Sequence, residues 1–175
     1  MIYLASPFST EEQRDDLARL EALFDELRLE YFSPRTNVPV LNGLPPETRR
    51  ERSSDWFKTN ISNLDRSYCL LFCSDFYDAD SAFDLGYAYS TYCKDKSVAI
   101  LTYSKSGQTI SNDTVAAVSR LHLMGFEEAE GFFTFVKNNP KYNIELPGDL
   151  SVTSSYLAAV WLDLVEMYQT DSKTA

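Results

Sequence analysis

Tyr68-Cys69-Leu70-Leu71-Phe72-Cys73, with the acidic stretch Tyr77-Asp78-Ala79-Asp80-Ser81-Ala82-Phe83-Asp84-Leu85-Gly86-Tyr87-Ala88 that follows it, decides how this chain is read. The first run is apolar, short and unalternating, with polar residues on either side. That is the pattern of a strand buried on both faces of a parallel sheet. The second reads as a helix start: Asp80 or Ser81 supplies the cap, and Phe83, Tyr87 and Tyr89 supply apolar body behind it. Strand, acidic loop and helix N-terminus in that order build a ligand site, because open α/β sheets bind ligands beyond the carboxyl ends of their strands. Three carboxylates, Asp78, Asp80 and Asp84, crowd the spot. They are either chemistry or capping. Ser81 to Asp84 has the spacing of a capping box, and Asp78 and Asp80 would complement the helix dipole.

Working back from that stretch, Met1 to Ala5 is an apolar run broken by Ser6-Pro7, a first central strand. Ser9-Thr10-Glu11-Glu12 has capping-box spacing, and Leu17, Leu20, Phe24 and Leu27 follow at helical spacing, so a helix runs to about Leu29. Asp15, Asp16, Arg19, Glu26 and Arg28 form its solvated face. Glu30 to Ser33 reads as a second strand stopped by Pro34, and Ser33 to Pro46, rich in Pro, Asn and Gly, as a long loop. Beyond a basic patch of Arg49, Arg50 and Arg52, a helix starts at Ser53-Ser54-Asp55 with Trp56, Phe57, Ile61 and Leu64 as its apolar body. The arginines read as a solvated helix face, with a phosphate contact as the sharper alternative.

Working forward, Ser97 to Tyr103 is another buried strand and Ser104 to Asn112 the loop at its carboxyl end. Val115, Val118 and Leu121 suggest a helix capped by Asn112 or Asp113. Gly131 to Val136 fits strand and helix equally, Asn138 to Gly148 is loop-like, and Ser154 to Tyr168 is an amphipathic helix ahead of a polar tail. Strands alternating with helices imply a mainly parallel sheet with helices on both faces, read as one domain over residues 1–175. Residues 3–8, 33–35, 74–84 and 104–112 then open on one rim.

Composition narrows the ligand. With 44% hydrophobic residues, 11 Tyr and 11 Phe, the chain has the material for a packed core and is not a disordered one. A net charge of −10 argues against a nucleic-acid polymer or an anionic membrane as partner. The three cysteines, Cys69, Cys73 and Cys93, lack metal-ligand spacing, and an odd count without a signal-like N-terminus fits a reduced, cytoplasmic protein. No metal or cofactor is called for. The single histidine, His122, reads as structural.

Taken together, these pieces resemble the nucleoside 2-deoxyribosyltransferase family. Ile2-Tyr-Leu-Ala-Ser-Pro-Phe8 is similar to its opening strand and loop, and Ser33-Pro-Arg35 to the segment after its second strand. Asn60 with Ile61, Leu64 and Asp65 is similar to an Asn or Asp ahead of a helix end. Asp78 to Ala88 resembles the acidic active-site motif, with an Asp six residues before the nucleophile. The resemblance covers roughly residues 1–118 and does not reach the C-terminal third.

The resemblance implies a flavodoxin-like sheet and a homo-oligomer in which a neighbouring subunit completes each site, with Tyr87, Tyr89 and Tyr92 as candidate interface anchors. It implies transfer of a 2-deoxyribosyl group between bases by a carboxylate nucleophile, or, with water as acceptor, hydrolysis of a nucleoside or nucleotide. A non-catalytic member that binds such a ligand is the other class of reading. Asp84 falls on the nucleophile, Tyr3 on the tyrosine that orients it, and Asp78 and Asn60 on positions that contact the base. Phe8 and Pro34 would line the base pocket, and Asn112, or Ser111 if the loop aligns one residue differently, would reach the sugar from a neighbouring subunit. Apart from the resemblance, Ser6 and Ser9 at the first helix start, with the Arg49–Arg52 patch, form a candidate anion site. The chain departs from the family in having Asp84 where Glu is usual and Asp80 where Gly is common. The shorter side chain withdraws the carboxylate by roughly 1.5 Å.

Overall fold

The computed structural model describes residues 1–37, 44–76, 78–93, 98–142 and 150–171, and for residues 92, 93, 150–155 and 171 the backbone alone. Five strands form one sheet: β1 (Ile2–Ala5), β2 (Tyr31–Phe32), β3 (Cys69–Cys73), β4 (Ala99–Ser104) and β5 (Leu121–Met124). All neighbours are parallel, in the order β2-β1-β3-β4-β5, the flavodoxin-like winding. The register sets Tyr3 against Leu70, and Leu70 against Ile100.

Side chains of these strands alternate between two cores. Ile2, Leu4, Leu71, Leu101 and Tyr103 face α1 (Glu11–Leu27), α6 (Phe126–Asn138) and α7 (Leu150–Asp171). Tyr3, Ala5, Leu70, Phe72 and Ile100 face α3 (Pro46–Asp65), α4 (Ala79–Ala88) and α5 (Asp113–Val118). Because both faces are covered, the strands carry no polar alternation in sequence. Cys69 and Cys73 are packed in the first core, where burial pushes the Cys73 thiol up to about 12 and Cys69 higher still.

Several local readings are corrected. The cap of α1 is Thr10, which accepts from the Gln13 N–H while the Gln13 side chain reaches back; the box lies one residue beyond Ser9 and Glu12. Asp16, placed by periodicity on the wet face, is buried, as is Glu21, which pairs with Arg35. The stretch read as loop opens with a short helix, α2 (Pro34–Asn37), and α3 begins at Pro46, well ahead of Ser53. Proline suits a first helical turn because the N–H it lacks would have no helical partner there. Residues 38–43 of that stretch lie outside the described residues.

Leu121 belongs to β5 and not to the preceding helix, and Gly131 to Val136 is helical, within α6. Gly125, at φ 91°, makes the turn between β5 and α6 that a side chain would strain. His122 is structural: its Nε2 donates to the Gln108 carbonyl at 2.8 Å, leaving Nδ1 to accept from the Thr102 hydroxyl at 2.8 Å. No helix among the described residues is long and apolar enough to cross a membrane.

Candidate active site

The carboxyl ends of β3 and β4 are tied together by Asp75, which accepts from the Ser104 hydroxyl at 2.8 Å, the Ser106 hydroxyl at 2.6 Å and the Lys105 backbone N–H. That brace fixes the loop from which α4 departs. Asp78 is the cap of α4, accepting from the Ser81 N–H at 2.7 Å, so the cap lies two residues ahead of Asp80. Asp84 therefore stands in the second turn of the helix and has no capping bond to make.

Its partner is across the sheet. The Tyr3 hydroxyl, wholly buried on β1, donates to Asp84 Oδ2 at 2.9 Å. Asp84 is only 7% exposed, and that burial drives its carboxyl pKa up to about 7. The Tyr3 donor pulls it down, while the charges of Asp80 and Asp78 push it further up. An ordinary aspartate titrates at ~4; here the proton is held to neutrality. Tyr3 is in turn driven above its usual range, by burial first and then by Asp84.

Asp84 opens onto a cleft of about 270 Å³ between α3 and α4. One turn after another of α3 faces it, through Ser53, Trp56, Phe57 and Asn60, and α4 contributes Asp80, Phe83 and Asp84. Phe57 and Phe83 stand with ring centroids 5.7 Å apart, both about half exposed. The structure thus brings Tyr3, Asp84 and Asn60 together. Among the described residues, Ser6, Phe8, Pro34, Asp78 and Asn112 do not line this cleft. Ser6 is buried after β1 with its hydroxyl on the Pro7 carbonyl, and Phe8 packs against the core beside α1. Pro34 is buried at the start of α2, and Asn112 caps α5, accepting from the Thr114 and Val115 N–H groups at 3.0 and 3.1 Å.

Trp56, Phe57 and Phe83 had been assigned to helix core and are walls of the cleft instead. The signal was present in the spacing: Ser53, Trp56, Phe57 and Asn60 fall at i, i+3, i+4 and i+7, a polar and aromatic stripe beside the buried position Leu64. Among the described residues no group of three His, Cys, Asp or Glu side chains is placed to hold a metal ion. The arginines at 49, 50 and 52 are exposed on the first turns of α3.

Fold and cleft together define a flavodoxin-like α/β protein with a tyrosine-held carboxylate in an aromatic-walled cleft. Among solved structures it is similar to a 2-deoxyribosyltransferase from the psychrotolerant bacterium Bacillus psychrosaccharolyticus, at 23% identity and a TM-score of 0.59. The match covers 74% of this chain and 89% of that one, and at this identity it bears on the fold. No family model and no curated protein sequence matches the chain.

Proposed function

We propose that this chain is a nucleoside 2-deoxyribosyltransferase-like enzyme that cleaves the N-glycosidic bond of deoxynucleosides or their monophosphates. One observation carries the reading: the 2.9 Å bond from Tyr3 to an Asp84 carboxylate that lines an aromatic cleft. The fold shared with a 2-deoxyribosyltransferase agrees with it.

In this reading an Asp84 oxygen attacks the anomeric carbon as the carbon–nitrogen bond breaks. The bonding electrons leave with the base, which takes up a proton at a ring nitrogen. The product is an ester of Asp84 with the deoxyribosyl group, reached through an oxocarbenium-like state. A second base attacking the same carbon completes transfer and releases Asp84; water in its place gives hydrolysis. Tyr3 holds the carboxylate in line, and Asn60 contacts the base. Asp78 is the candidate proton donor, and because its Oδ1 holds α4, that role falls to its other oxygen. A 2-hydroxyl would withdraw electrons from the cationic centre, so deoxy sugars turn over faster than ribo sugars.

The working unit is a cytoplasmic homo-oligomer of this one domain. Of the three candidate anchors, Tyr89 is exposed for a second copy to cover, Tyr87 is half-buried with its hydroxyl donating to Asp65 Oδ1 at 3.0 Å, and the side chain of Tyr92 lies outside the described residues. Light scattering showing a monomer at micromolar concentration would remove that part.

The deciding assay incubates the protein with each deoxynucleoside and deoxynucleoside monophosphate, with and without an acceptor base, followed by chromatography. New nucleoside means transfer, and free base alone means hydrolysis. A second reading, a binding protein without turnover, draws on the carboxyl of Asp84 being held to about 7, half protonated where a nucleophile needs charge. Unchanged ligand with measurable binding would select it.

A further inference from the structure

Trp56 and Asn60 stand four residues apart on the face of α3 that lines the cleft, an i, i+4 pair whose Cβ atoms are ~6 Å apart. Both carry a polar atom that the fold leaves unused. The indole N–H of Trp56 and the side-chain oxygen of Asn60 are shielded from water and meet no partner among the described residues. Asn60 as a whole is 9% exposed, so this is not a surface amide that simply bonds solvent. A buried donor or acceptor left this way is destabilising, a burden a folded protein rarely keeps without a use.

Their surroundings specify what would satisfy them. Trp56, Phe57 and Phe83 give the cleft flat apolar walls, which favour a planar ring over a sugar, whose hydroxyls need several polar partners. A heteroaromatic edge that presents an acceptor beside a donor matches one N–H and one carbonyl oxygen on the same helix face.

We propose that Trp56 is a specificity-determining residue: its indole N–H donates to an acceptor on the edge of the bound base, while Asn60 accepts from the neighbouring donor. This rests on the reading of the cleft as a nucleobase site and adds to it the residue that reads the edge. A ligand with the same outline but no acceptor leaves the indole N–H unpaired in the complex and is rejected on that account, as sites built around a hydrogen bond reject analogues lacking it.

The test measures binding by calorimetry, separately from turnover, on the full chain. The probes are free purine and pyrimidine bases and their deoxynucleosides, together with 1-deaza, 3-deaza and 7-deaza purines and 3-deaza pyrimidines, each lacking one ring acceptor. Wild-type protein is expected to bind one parent base and to disfavour one deaza analogue of it by about tenfold or more. Trp56→Phe keeps an aromatic wall but no donor. It is expected to weaken the parent by a similar factor and to bind parent and analogue alike. Thermal melting of the variant checks that it is folded. Should that variant be poorly folded, the wild-type analogue series stands alone, and equal affinity for the parent and all its deaza forms overturns the proposal.

Undiminished parent binding by Trp56→Phe, or discrimination that survives it, overturns the Trp56 role while leaving a nucleobase site intact. Absence of binding by any base or nucleoside overturns both. Discrimination through Trp56 in a protein without turnover supports the inference and removes the catalytic reading alone.

Discussion

Among the described residues two buried tyrosine–carboxylate pairs lie one on each face of the sheet, and they make an instructive contrast. On one face Tyr3 of β1 donates to Asp84 of α4 at 2.9 Å; on the other Tyr103 of β4 donates to Asp16 of α1 at 3.1 Å. Both tyrosines are fully buried, and Asp84 and Asp16 are 7% and 5% exposed. In both, burial is the leading cause of a raised carboxyl pKa and the tyrosine donor opposes it. The pairs differ in their second neighbours. Asp84 has two further carboxylates, Asp80 and Asp78, whereas Asp16 has Lys105 and Arg19 against the single carboxylate of Asp75. Asp84 also lines the aromatic cleft. The two pairs are alike in burial and bonding, and what separates them is the charge environment, left unbalanced around Asp84.

The sharpest way to break the contrast is to remove one carboxylate at a time. Asp84→Asn should abolish turnover, by at least ~10⁴-fold, while Asp16→Ala should leave it within about twofold. Asp16→Ala instead orphans the buried Tyr103 hydroxyl and should cost about 1–3 kcal/mol in denaturant melts. Turnover persisting in Asp84→Asn would end the nucleophile assignment.

Reach comes next. Asp84→Glu adds a methylene to a carboxylate that already meets Tyr3 at 2.9 Å, so the carboxylate must shift by about 1 Å or more. A loss of roughly a hundredfold in kcat/KM is expected on that displacement. A gain would show that the cleft retains room for the longer nucleophile.

Removing the tyrosine donors should separate the faces again. Tyr3→Phe should lower kcat/KM by about tenfold and move its pH midpoint upward, since the Tyr3 donor is what lowers the Asp84 pKa. Tyr103→Phe should move neither, and an equal effect of both variants would mean that Tyr3 only supports the fold.

Titration sets a further test with a defined sign. In the proposed reaction the attacking species is ionised Asp84, so kcat/KM should rise with pH to a plateau with a midpoint of about 7. Stability runs the other way. The folded pKa of Asp84 is raised from 3.8 to about 7, so its contribution is complete below pH 3.8 and is lost as pH climbs through 7. The loss amounts to about 4 kcal/mol at most. Asp84→Asn should therefore be more stable than wild type at pH 8 and not at pH 4, as measured by denaturant midpoints. Loss of stability at both pH values would point to a purely structural carboxylate.

The smallest effect belongs to Asp78. Asp78→Ala should cost about 0.5–2 kcal/mol as a lost helix cap. Any fall in turnover well beyond what that destabilisation produces would support its role as proton donor.

Much of this architecture was legible in the chain because burial on both faces of a parallel sheet leaves an unmistakable mark, an unbroken apolar run such as Cys69 to Cys73 or Val98 to Leu101. The acidic stretch after β3 was legible for a related reason: the chain must turn from strand to helix there, and caps need short polar side chains. Local pattern stops at the question of which carboxylate does the capping. Asp78, Asp80, Ser81 and Asp84 are all short polar side chains able to cap, spread over about two turns, and only the backbone geometry assigned the cap to Asp78 and freed Asp84. Asp16 shows the same limit from the other side. Helical periodicity placed it on the wet face, but a hydroxyl 87 positions away on β4 meets it under cover. Trp56 and Phe57 looked like core because apolar spacing records which side of a helix is greasy, and a cleft wall satisfies that as well as a core does. The partners of Asp84 and Asp16 lie on other elements, and nothing in a local stretch of sequence encodes a contact that only the winding of β1, β3 and β4 brings into being.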